Sequence, residues 1–166
     1  MILNKQVGVF LNLVHNKFKQ YLTEIFGRKG FNITPEQFLV MDALWDEGVL
    51  TQQQIADYIL KDKNSVVKLV DGLQERKLVV RKSNPKDRRQ NLILLTPYAL
   101  EIKDEVTALA MQAVDYIING ISEEDINTFI KVLSKMSENM NNSVNLLEFA
   151  NKYPTKKVSE ENGKTL

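Results

Sequence analysis

The sequence predicts a mainly α-helical fold with a small β wing: a winged helix-turn-helix flanked by N- and C-terminal dimerisation helices. Three observations carry this. Residues Thr51 to Thr96 read as helix, turn, helix and then a two-stranded hairpin. Long segments on either side carry apolar residues at steps of three and four, the period of a one-faced helix. Positive charge is concentrated in the hairpin and the helix before it.

The first element is a long helix. Leu3, Val7, Phe10, Leu11, Val14, Phe18, Tyr21, Leu22, Ile25 and Phe26 fall on one face, and Gly27 and Gly30 bracket its end. So apolar a face needs a cover, from another helix of the chain or from a second subunit. Thr34-Pro35-Glu36-Gln37 then starts a second helix. Thr34 caps, Pro35 suits the first helical position and Gln37 completes a capping box. This helix stops near Gly48. Thr51-Gln52-Gln53-Gln54 repeats the capping pattern, and Ile55, Ala56 and Ile59 give a short buried stripe.

Asp62 is the expected cap of the next helix, from about Lys63 to Arg76. Val66, Leu69, Val70 and Leu73 share one side, while Asn64, Lys68, Asp71 and Glu75 share the other, with Val67 flanking. Leu78 to Arg81 reads as a strand and Asn91 to Leu95 as its partner. Between them lie the turn formers Asn84, Pro85 and Asp87. Thr96-Pro97 opens a helix expected to run to about Asn119, broken by Gly120. Ser122 starts a last one bearing Ile126, Phe129, Ile130, Leu133 and Met136. These two helices are expected to pack on the first. Four asparagines, at 139, 141, 142 and 145, then weaken helical tendency, and the end of the chain has little to bury. The expected division is 1–33 for the N-terminal dimerisation helix, 34–96 for the winged unit, 97–142 for the C-terminal dimerisation helices and 143–166 for a partly disordered tail.

Composition narrows the function. The chain has no cysteine, which excludes disulfides, thiolate metal sites and thiol redox sensing. No apolar run approaches the ~18 residues of a membrane span, and no secretory signal pattern opens the chain, so a cytoplasmic location is expected. The single histidine, His15, lies among apolar residues. No metal cluster, nucleophile motif or phosphate-cradling glycine loop is present, so no catalytic residue, metal or cofactor is assigned.

Net charge is +1 overall, yet Lys61 to Arg89 holds ten basic and four acidic side chains, a local +6. Placed on a helix-turn-helix and hairpin, this excess suits duplex DNA. A helix with a buried back and a polar front fits the major groove. Asn64 and Lys68 are the candidates for base edges, with Val67 placed for a thymine methyl. Lys63, Ser65, Arg81 and Lys86 are candidates for phosphates. At the hairpin tip, one of Arg88 and Arg89 suits a minor groove, whose narrow walls concentrate negative potential, and the other helps hold the wing. Asp87 is expected to orient one arginine through a charge-assisted bond.

These residues resemble the MarR family of bacterial transcription regulators over roughly residues 5 to 140. The most specific match is Asp87-Arg88-Arg89, then QNLIL, then Leu95-Thr96, against the family's Asp-x-Arg, short strand and Leu-Thr. The stretch SVVKLVDGLQERKLVVR resembles its recognition helix and first wing strand. Departures are Ala99 and Lys77, where the family often has glycine, and Gly72, where it often has arginine. The resemblance implies a homodimer that presents two winged units to a pseudo-palindromic operator on double-stranded DNA, often as a repressor. It also implies release of DNA when a small aromatic or phenolic effector binds. His15, Tyr21, Met41 and Trp45 are candidates to line an effector pocket, although core packing is the favoured reading of these four. The alternative function is a winged protein-interaction module that has lost DNA binding.

Overall fold

The structure, a computed structural model, describes residues 2–140. The Leu3 side chain and residues 141–166, including the expected tail, lie outside the described residues. The chain divides into two compact units, Met1–Ile117 and Ile118–Leu166.

The first unit opens with α1 (Ile2–Arg28). Its C-terminal half packs into the core: Leu22 and Phe26 are buried, with Phe18, Tyr21 and Ile25 against them. The helix ends at Gly30, whose φ of +84° lets the Phe31 N–H reach back to the Phe26 carbonyl at 2.9 Å. This is the left-handed stop that glycine adopts freely. The other half of the expected stripe, Val7, Phe10, Leu11 and Val14, is exposed.

Helix α2 (Pro35–Glu47) starts with the expected capping box, Thr34 and Gln37 each accepting the other's backbone N–H. It carries Val40, Met41, Ala43 and Leu44 into the core. Phe38 lies between Phe26, at a ring-centroid distance of 5.7 Å, and Trp45, edge-on at 6.2 Å. Such ring pairs add about 0.5–1.5 kcal/mol each beyond their buried area. The Trp45 indole N–H donates to the Ala99 carbonyl at 3.0 Å, tying the end of α2 to a residue 54 positions later.

Two short elements follow: strand β1 (Leu50–Thr51) and helix α3 (Gln52–Tyr58), with Thr51 and Gln54 forming a second capping box. After the turn comes α4 (Lys63–Glu75), capped by Asp62 and buried through Val66, Val70 and Leu73. The hairpin is β2 (Val79–Ser83) and β3 (Asn91–Leu95). The sheet order is β1-β3-β2, antiparallel throughout. Ile93, fully buried, faces Leu50 on one side and Arg81 on the other. Thr96 then caps α5 (Pro97–Glu101), and α6 (Lys103–Ile118) buries Val106, Leu109, Ala110 and Ala113. Tyr116 of α6 stacks on Tyr21 of α1 at 5.6 Å, so this part of the expected helix packing is present.

In the second unit, Ser122 caps α7 (Glu123–Asn139). Ile126, Ile130, Leu133 and Met136 are half-buried, Phe129 is exposed, and Ser134 and Ser137 are buried. The Ser134 hydroxyl satisfies itself on the Ile130 carbonyl at 2.9 Å.

Four details differ from the sequence reading. Strand β1 was not expected: two residues are too few for an alternation signal. The helix expected from 97 to 119 is interrupted at Ile102, whose N–H is shared between the Tyr98 and Leu100 carbonyls. Leu69, expected on the buried side of α4, is only half-buried. The first wing strand begins at Val79, because Leu78 belongs to the stop of α4. There the Leu78 N–H bonds the Leu73 carbonyl, the Lys77 N–H bonds the Gln74 carbonyl, and Leu73 and Leu78 are both buried. That is a Schellman stop with lysine at its left-handed position, at φ +58°.

A side chain in the left-handed region costs about 1–2 kcal/mol, partly offset by the flexibility glycine brings to the unfolded chain. Replacing Lys77 with Gly is expected to stabilise the chain by roughly 1 kcal/mol, raising the midpoint of urea unfolding with an unchanged slope.

Candidate nucleic-acid interface

The polar front of α4 is exposed as the sequence indicated. Lys63, Asn64, Lys68, Asp71 and Glu75 all face solvent, and Val67 is half-buried beside them. The helix start is tightly organised. Asp62 accepts the Ser65 N–H at 2.9 Å on one oxygen and the Ser65 hydroxyl at 2.5 Å on the other. Both donors of Ser65 therefore serve the cap. As a phosphate contact Ser65 has no donor left over in this arrangement.

The wing tip is a set of side-chain-locked turns. The Asn84 side chain accepts the Lys86 N–H at 3.0 Å, and the Asn84 N–H donates to the Gln90 carbonyl at 3.0 Å. The Asp87 carboxylate accepts the Arg89 N–H and the Gln90 side-chain amide, each at 3.0 Å. The orienting bond expected from Asp87 to an arginine side chain thus goes to the arginine backbone instead. Asp and Asn commonly fold turns this way. The result fixes the loop backbone while the side chains of Lys86, Arg88 and Arg89 remain exposed.

Arg81, expected at a phosphate, turns back onto α4. Its guanidinium donates to Gln74 at 2.7 Å and to Asp71 at 2.5 Å, and its side chain is 21 % exposed.

Lys63 and Arg89, 26 residues apart, line one cleft of about 230 Å³. Gln52 and Gln53 at the start of α3 also line it, with Thr51, Gln90 and Asn91. The cleft is predominantly polar and sits where the starts of α3 and α4 meet the wing. The two glutamines were not among the sequence candidates. Their capping pattern placed them at a helix start, but only the β1–β3 pairing brings that start to the wing.

The four effector candidates separate. Met41 is fully buried, and Tyr21 and Trp45 are half-buried against the core. His15 is exposed on α1. No helix among the described residues is long and apolar enough to cross a membrane.

The Ser65 hydroxyl bond, followed by the Ser65 amide bond, holds the Asp62 carboxyl below its ordinary value. A depressed carboxylate stabilises the fold above the ordinary aspartate range and loses that effect as pH falls through the lowered value. The Ser65 amide resonance is therefore expected to titrate only below the usual aspartate range and to be flat through neutral pH. Asp62→Ala should remove that titration and fray the first turn of α4, read by NMR chemical shift and amide exchange.

The sequence model of the MarR family matches residues 31–90, from the α1–α2 connection to the wing. The HTH-type transcriptional regulator MhqR of Bacillus subtilis is 25% identical over 131 residues, covering 79% of this chain and 89% of that one. YsmB, an HTH-type transcriptional regulator of the same organism, is 27% identical over 130 residues, covering 75% and 89%. Among solved structures, Bordetella bronchiseptica BpsR, described for regulation of its DNA binding by 6-hydroxynicotinic acid, aligns with TM-score 0.71 at 26% identity over 80% of this chain and 93% of its own. A mutant of Escherichia coli MarR complexed with operator DNA shares the fold, with TM-score 0.71 at 21% identity over 78% of this chain and 92% of its own. The winged unit thus matches the MarR family model, and regulators carrying the helix-turn-helix description align with the chain over most of its length.

Proposed function

We propose that this chain is a homodimeric, sequence-specific DNA-binding regulator, acting as a ligand-responsive repressor on a pseudo-palindromic operator. The observation that carries the reading is the gathering of Lys63 and Arg89 into one polar cleft between α4 and the wing. A duplex whose major groove receives α4 has its backbone beside the start of that helix, where the Lys63 side chain is exposed. The cleft is then the seat of the backbone, with Gln52 and Gln53 as added donors.

In this reading Asn64 and Lys68 face base edges and Val67 a thymine methyl. Lys63 and Lys86 neutralise phosphates. Arg88 projects from a loop whose backbone Asp87 already fixes, so little backbone freedom is lost when it enters the minor groove, while Arg89 stays with Lys63 at the cleft. Residues 34–96 form the DNA-binding unit, and 1–33 with 97–142 pair two chains. Supporting the pairing, α1 exposes Val7, Phe10, Leu11 and Val14 on one face, with Val14 at 65 %. A contiguous apolar face of this kind marks an interaction surface. A small aromatic or phenolic effector is the expected ligand, in keeping with the hydroxynicotinic acid described for BpsR. The site of action is the cytoplasm, where the operator lies. The exposed basic wing tip speaks against an interaction module without DNA binding.

Replacing Arg88 and Arg89 together with Ala is expected to weaken operator binding about 10- to 100-fold, with the dimer intact by sedimentation. The slope of log affinity against log salt should also become shallower by one to a few ions. Unchanged affinity and slope would remove the wing from the interface.

A further inference from the structure

We infer that Arg81 is a positioning residue for DNA recognition, setting the wing against α4, and that Asp71 is retained on the DNA-facing helix to hold it. This rests on the DNA-binding reading above.

The geometry is specific. Arg81 stands in the middle of β2, opposite Ile93 of the central strand. One nitrogen of its guanidinium donates to Gln74 Oε1 at 2.7 Å. The other donates to Asp71 Oδ1 at 2.5 Å and lies 3.4 Å from the Val67 carbonyl. Val67, Asp71 and Gln74 are at i, i+4 and i+7, one continuous ridge of α4. That ridge adjoins Asn64 and Lys68. A planar fork with several fixed donors can grip such a ridge, whereas a lysine ammonium is a single flexible point charge. The strand that carries the wing is thereby pinned to the helix that carries the base-reading residues.

Asp71 supports the same conclusion from charge. An acid 52 % exposed on a DNA-facing helix should repel phosphate. Its pairing with Arg81 neutralises it and turns it toward the wing. For Arg81 to reach a phosphate it would have to leave these acceptors and uncover that acid. The pair is too exposed to matter much to global stability. What it controls is the angle between two DNA-contacting elements, and small misplacements of that kind are costly to a preorganised site.

The test uses full-length chains carrying Arg81→Lys, Asp71→Asn or both. Each is titrated against a duplex selected by the wild-type chain from a randomised pool, and against a scrambled duplex of equal length, across a salt series. Each single variant should bind the selected duplex about ten-fold more weakly, the loss of roughly one charge-assisted hydrogen bond. The double variant should be no worse than either single one. Arg81→Lys, which keeps its charge, should leave scrambled-duplex affinity and the salt slope unchanged. In the free proteins, the β2 and β3 amides should exchange faster with solvent in each variant than in wild type.

Two outcomes overturn the inference. One is Arg81→Lys binding the selected duplex as wild type does, as a simple phosphate contact would predict; the other is Asp71→Asn tightening binding, as removal of a merely repelling acid would. If the wild type selects no duplex, the DNA-binding reading fails. The amide-exchange comparison then decides the brace alone, and unchanged exchange rejects it.

Discussion

The arrangement depends on the register of β3. Ile93 at its centre is fully buried and pairs on one edge with Leu50 and on the other with Arg81. The first pairing draws Thr51, the cap of α3, against the base of the wing. The second aligns Arg81 with the ridge of α4. A slip of one residue would turn Ile93 outward and send every side chain of β3 to the opposite face. Three elements that meet DNA in the proposed complex are thus placed by one central strand. Closure of the hairpin base reinforces it, since the Thr96 N–H and hydroxyl bond the Leu78 and Lys77 carbonyls.

Local side-chain bonding organises the rest of the surface. Thr34, Thr51, Asp62, Thr96 and Ser122 each accept the N–H three residues on, so five helix starts are satisfied without tertiary help. The wing tip uses the same chemistry through Asn84 and Asp87. Preformed turns reduce the ordering that binding would otherwise require. The core beneath is aromatic and aliphatic, from Phe26 and Phe38 to Trp45, and the Trp45 bond to Ala99 joins α2 to the helices that follow the wing.

Much of this was legible in the sequence because its signals are local. Each of the five caps was marked by residue type and spacing, and the helical stripe of α4 separated Val66, Val70 and Leu73 from Asn64 and Lys68. Other features depend on partners distant in sequence. Strand β1 is two residues long and exists only because β3 passes beside it. The Arg81 side chain reads as one more cation in a basic stretch until β2 is laid against α4. Gln52 and Gln53 reach the cleft only through that same sheet. The α1 stripe was read as one continuous face, but among the described residues its C-terminal half is covered and Val7, Phe10, Leu11 and Val14 are exposed. For the effector candidates, periodicity could not separate a pocket from a core, and the structure packs Met41 inside while leaving His15 exposed.

Sedimentation equilibrium of the wild-type chain with duplex DNA from upstream of its own coding region, in excess unrelated competitor, tests the central claim most directly. The account predicts a competitor-resistant complex of two chains per duplex, assembled from a protein already dimeric in its absence. A monomer that competitor strips from every duplex would contradict both the pairing of chains and the site-specific reading.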